Sequence, residues 1–209
     1  QTFAKYLEKY PEGPRAKDAR FQMAHALYGM NAFDQANQQF LTYMDKYRDP
    51  EDLVAVTPYF VSSLIEMDKP ALEIDAMTHG LPPTEIYGSV MWENAAELYN
   101  NQDYENAQQQ FAIYLSKLPL YENSSKALFY RAESLYLTEN WESAEKAYNS
   151  YLKNSHTNEG KNRTVAQFRQ AISVHQQLNL VDAVKLYDAF LSTHPESEWA
   201  ADAKENLML

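Results

Sequence analysis

The chain has 209 residues, 45% hydrophobic and 13% aromatic, a composition that excludes a disordered polymer. Its formal charge of −11, from 18 basic and 29 acidic side chains, argues against a surface built for nucleic-acid phosphates or anionic lipids, and reads first as a solubilising charge. Cysteine is absent, which removes disulfides, thiolate nucleophiles and zinc–thiolate sites, and no apolar run reaches the roughly 18 residues of a membrane span.

In chain order, Phe3, Tyr6 and Leu7 belong to a first amphipathic helix that stops at Tyr10-Pro11. The sequence opens directly into this helix, with no signal-peptide pattern and partway through a repeat, so it reads as a piece of a longer protein. Beyond Pro11 a register appears when each unit is aligned on a small residue in its first helix: Ala24, Ala95, Ala132 and Ala171. Three residues earlier stand Phe21, Trp92, Phe129 and Phe168; four residues later stand Tyr28, Tyr99, Tyr136 and His175. An aromatic or aliphatic residue opens the second helix at Phe33, Tyr104, Trp141 and Leu180. Ala36, Ala107, Ala144 and Ala183 follow, then the aromatics Phe40, Phe111, Tyr148 and Tyr187, and finally Tyr43, Tyr114, Tyr151 and Phe190. Small residues let helix backbones approach and aromatics fill the space between neighbouring pairs.

The clearest unit is 119–155, two amphipathic helices joined by the turn Thr138-Glu139-Asn140, with Asn140 placed to cap the second. One such pair cannot bury both apolar stripes, so it needs neighbours of its own kind. Pro11, Pro50, Pro82, Pro119, Asn158 and Pro195 mark the loops at intervals of 32 to 39 residues. The expected fold is therefore all-α: a right-handed α-solenoid of stacked antiparallel helix pairs forming one array over 1–209. Its parts are a half-repeat 1–10, repeats near 11–49, 50–81, 82–118, 119–157 and 158–194, and a partial repeat 195–209. The unit 50–81 deviates. It carries Ser63 in place of the anchor alanine, and its short second helix runs from Pro70 at N1 to His79, with Gly80 as the stop.

The pattern small–x2–Leu-Tyr, aromatic–x2–Ala–x3–aromatic, with a loop proline, resembles the tetratricopeptide repeat. The period is stretched, and an aromatic replaces the family's small residue late in the second helix. FAKYLEKYPEGPRAKDARFQMA and YDAFLSTHPESEWAADAKENL are similar to repeats of the Gram-negative outer-membrane-assembly lipoprotein and of the Tol–Pal coordinator. That resemblance implies a non-enzymatic scaffold in the periplasm or at the outer membrane of a bacterium, holding a partner protein or peptide on its concave face. The alternatives are a cytoplasmic location, a recruitment module of a larger enzyme or regulator, or a self-associating spacer.

In the family register the concave face carries Phe21, Tyr28, Trp92, Tyr99, Phe129, Tyr136, Phe168 and His175, an aromatic groove suited to a peptide or helix. The alternative is that many of these rings pack between consecutive repeats. Arg20, Arg131 and Arg169 lie beside the stripe and either bind a partner carboxylate or pair with acids on adjacent helices. No catalytic, cofactor or metal site is expected. His25, His79, His156, His175 and His194 show no HExxH spacing; Ser143 and Lys146 match SxxK without its companion motifs; no phosphate-binding glycine loop is present. Asn123 and Asn162 open formal glycosylation sequons. The aliphatics of 50–81 are either a docking surface or the packing of a decayed repeat. Neither the partner nor the oligomeric state follows from the residues.

Overall fold

The computed structural model describes residues 2–82, 85–154 and 160–208, apart from the Asn154 side chain. Asn158 and His156, both singled out above, lie outside the described residues. The described chain is all helix: α1 (Thr2–Lys9), α2 (Ala16–Gly29), α3 (Phe33–Lys46), α4 (Pro50–Glu66), α5 (Ala71–Met77), α6 (Glu85–Asn100), α7 (Tyr104–Lys117), α8 (Ser124–Leu137), α9 (Trp141–Asn154), α10 (Lys161–Gln176), α11 (Leu180–Thr193) and α12 (Ala200–Asn206). It forms an α-solenoid architecture of stacked helix pairs, divided into two compact units, Gln1–Asn94 and Ala95–Leu209. Within each unit helices pack on their sequence neighbours. First helices also touch the next first helix, α2 on α4 and α8 on α10.

The pairs turn by a shared device. Asn31, Asp68, Gln102, Glu139 and Leu178 all adopt left-handed φ, between 53° and 64°. In each turn that residue's N–H donates to the carbonyl three back, and the next N–H donates to the carbonyl five back, as in Glu139 to Tyr136 and Asn140 to Leu135. This is the Schellman closure, which satisfies helix-terminal carbonyls that would otherwise be orphaned. Asn140 does precede α9, and its carbonyl accepts the Ala144 N–H.

The same bonds correct the register of the deviant pair. Asp68 donates to Ile65 and Lys69 to Leu64, which aligns Ile65 with Tyr28 and Tyr136 and places Val61 at the anchor, two residues before Ser63. Val61 is buried, as the anchor alanines are. Ser63 instead accepts a hydrogen bond from the buried Asn37 amide at 3.0 Å. Pro58 lies inside α4; with no N–H, it leaves the Val54 carbonyl without its helical donor. Pro70 is the N-cap of α5 rather than its first residue, and α5 ends at Met77. Thr78 Oγ1 donates to the Ile74 carbonyl at 2.7 Å, and Gly80 supplies φ +81° beyond it.

Ala24, Ala95, Ala132 and Ala171 are fully buried, as are Ala36, Ala107 and Ala144. An added methylene at any of these sites would drive two helix axes apart.

Candidate functional site

The residues three before the anchor and four after it have different surroundings. Phe129 and Phe168 are buried within their own helix pairs, where each ring meets the last aromatic of the second helix: Tyr151 at 5.3 Å and Phe190 at 5.4 Å. Phe21 makes the same contact with Tyr43 at 5.8 Å, while keeping a half-buried position beside His25 and Tyr59. Trp92 is half-buried on α6 within the first unit.

Tyr28, Tyr99, Tyr136 and His175 are all half-buried, and the three tyrosines sit at joints between consecutive pairs. Each joint draws one residue from three successive helices. In the first, Tyr59 of α4 stacks on Phe40 at 6.4 Å and meets Tyr28 edge-on at 5.8 Å. In the second, Tyr130 of α8 stacks on Phe111 at 6.0 Å and meets Tyr99 edge-on at 4.9 Å. In the third, Arg169 of α10 takes the place of Tyr59 and Tyr130, its guanidinium 4.7 Å from the centre of the Tyr136 ring. Such cation–π and edge-on contacts contribute about 0.5–1.5 kcal/mol each beyond area burial. At the end of the second unit, His175 Nδ1 stands 3.4 Å from the Tyr187 hydroxyl.

The third joint has a charged core. Glu133 of α8 is buried; it accepts the Tyr148 hydroxyl at 2.5 Å and the Arg169 guanidinium at 2.5 Å. Burial pushes the Glu133 carboxyl above the usual carboxylate range, and Arg169 and Tyr148 pull it part of the way back. Tyr148 is pushed upward too, by burial and then by the adjacent Glu133 charge. Burial raises Tyr99 to about 12 and moves Tyr136 in the same direction. Neither phenol hydroxyl, of Tyr99 or of Tyr136, has a hydrogen-bond partner among the described residues.

Of the three arginines beside the stripe, Arg169 pairs with an acid, whereas Arg20 donates to the Pro11 carbonyl at 3.1 Å. Arg131 has no ion pair among the described residues, and burial lowers its pKa. Lys146 of the SxxK pattern is held by Glu142 at 2.5 Å. Among the described residues no group of three or more His, Asp or Glu is placed to hold a metal ion, and no helix is long and apolar enough to cross a membrane. Glu133 was not singled out from the sequence, and Tyr148 was read there only as a packing aromatic. The one available sign of Glu133 was an acid directly after the anchor Ala132.

Residues 126–155, covering most of α8 and all of α9, match the tetratricopeptide repeat family. No curated protein sequence matches the chain. Among solved structures, it is similar to a thermophilic tetratricopeptide protein of Thermus thermophilus, with 18% identity over 93% of this chain and 100% of that one, at a TM-score of 0.43. It is also similar to the TPR2AB domain of yeast Sti1 in its complex with pHSP90, with 10% identity over 94% and 98% of the two chains, at a TM-score of 0.43.

Proposed function

We propose that the chain is a non-enzymatic tetratricopeptide-type scaffold that holds a segment of another protein against the first helices of its second unit. The observation that carries this reading is the pair of half-buried tyrosines, Tyr99 and Tyr136. Each has one ring face locked into a joint, and neither hydroxyl has a bonding partner among the described residues. Rings fixed in this way offer contact area and a donor with little entropy left to lose, which suits a peptide anchor. The partly exposed Arg169 guanidinium lies against the Tyr136 ring at the same joint.

The test is selection of a displayed random-peptide library on the chain, followed by titration of the selected peptides. Tyr99→Phe/Tyr136→Phe keeps the rings that pack the joints and removes only the hydroxyls. Loss of peptide affinity in this variant, with unchanged melting, supports the face as the binding surface. Equal affinity for parent and variant, or no selected peptide, removes it. Placement in a bacterial envelope belongs to the same proposal and rests on the resemblance of the terminal phrases. Fractionation of the source cells decides it.

A further inference from the structure

The four side chains that stand four residues after their anchors end in polar atoms with different surroundings. The Tyr28 hydroxyl shares a 2.7 Å hydrogen bond with the Ser62 hydroxyl, and His175 Nδ1 faces the Tyr187 hydroxyl at 3.4 Å. Both are engaged within the fold. Tyr99 and Tyr136 differ, since neither hydroxyl has a bonding partner among the described residues. These two flank the Glu133–Arg169 pair. On one side the Arg169 guanidinium lies 4.7 Å from the centre of the Tyr136 ring, and the Tyr148 ring, whose hydroxyl bonds Glu133, lies 6.3 Å from it. On the other side Tyr99 meets Tyr130 at 4.9 Å, and Tyr130 is the neighbour of Glu133 one turn along α8. Burial raises both phenols, and the two charges of the pair then act on each in opposite senses.

We propose that this part of the face takes an uncharged amide side chain, glutamine or asparagine, from the bound segment. The proposal rests on the reading of Tyr99 and Tyr136 as the binding surface. A phenol hydroxyl both donates and accepts a hydrogen bond, and a carboxamide offers an acceptor oxygen and an NH2 donor to match. The charge of the joint is already balanced, because the buried Glu133 carboxylate holds the Arg169 guanidinium at 2.5 Å. An arriving carboxylate is attracted by Arg169 and repelled by Glu133, and an ammonium group meets the reverse. Either one gives up its hydration without a net countercharge to replace it. An amide gives up far less, and hydrogen bonds to the phenols return it.

The probes are the peptides selected from the displayed random library, each resynthesised with its glutamine or asparagine exchanged for the isosteric acid. At about pH 8 the exchange should weaken binding to the full chain about tenfold. The affinity of the amide peptide should change less than about twofold as salt rises from about 0.05 to about 0.5 M. In Glu133→Gln the acidic peptide should regain most of its loss, because the Arg169 charge then has no countercharge. Selected peptides without a glutamine or asparagine overturn the proposal, as do acidic or basic peptides that bind the parent as tightly as the amide ones. A penalty that Glu133→Gln leaves unchanged overturns it too. If Glu133→Gln does not melt cooperatively, the salt series on the parent decides, and a tenfold or larger salt dependence overturns the proposal. The two readings fail separately. Affinity unaffected by Tyr99→Phe/Tyr136→Phe removes the binding face and this proposal with it, whereas charged peptides whose binding that variant abolishes remove the amide assignment alone.

Discussion

Glu133 on α8 and Arg169 on α10 close a 2.5 Å ion pair across a joint whose two counterparts are built from aromatic rings. An ion pair in this position binds three helices, because Tyr148 of α9 shares the carboxylate. It also leaves the buried Glu133 charge without its countercharge if Arg169 is lost.

Arg169→Met should cost about 2–4 kcal/mol, because the Glu133 charge stays buried with one hydroxyl for company. Glu133→Gln/Arg169→Met should recover much of that loss. Urea unfolding of the two single variants and the double variant gives the coupling directly. Additive losses would show that the pair does not act as a unit.

The raised pKa of Glu133 sets the sign of a pH effect. A carboxyl whose folded pKa lies above its unfolded value binds its proton more tightly when folded. Its contribution to stability is therefore complete below the ordinary value of 4.5 and is lost as pH rises through the folded pKa. Measured against Glu133→Gln, which has no proton to lose, the parent should lose stability as pH climbs from 4.5 and then level off. Parallel pH profiles for the two proteins would contradict this account.

Leu178 holds φ 62° with its side chain in solvent. A β-carbon in that region costs about 1–2 kcal/mol, part of which glycine returns as unfolded-state entropy. Leu178→Gly should raise unfolding stability by about 0.5–1 kcal/mol in a melt or urea titration.

The Tyr10 N–H closes α1 on the Tyr6 carbonyl as Tyr47 closes α3 on Tyr43, so Phe3 and Phe40 hold equivalent positions, with opposite exposure. Phe40→Ala should cost about 3–5 kcal/mol and Phe3→Ala under about 1 kcal/mol. Similar losses at the two sites would mean that the register alignment of α1 is wrong.

The helix pairs were legible from the anchor alanines, because a residue that must be small and one that must be a ring recur at fixed offsets. The turns were less so. Left-handed C′ residues are usually read from glycine, and here Asn31, Asp68, Gln102, Glu139 and Leu178 carry that conformation instead. In the deviant pair the anchor is Val61, so a search for a small residue slid two positions to Ser63. The candidate face was legible as a set of residues but not as their environments. Phe129 and Tyr136 share a helix, and only the packing separates the buried ring from the half-buried one. Glu133 and Arg169 lie 36 residues apart at different register positions, one after and two before their anchor alanines, and nothing local marks either as the partner of the other.

The three-helix joints also bear on how such a chain can change over generations. A duplication or excision of one whole pair brings the ring of one second helix against the first helix of a new neighbour. Excision of α4–α7 together would be silent at the joint, because Phe40 would meet Tyr130 in place of Tyr59. Removal of α8–α9 would set Arg169 against Phe111 and Tyr99 with no carboxylate to meet it. The charged joint therefore ties α8–α9 to α10, because only there does Arg169 meet a buried carboxylate.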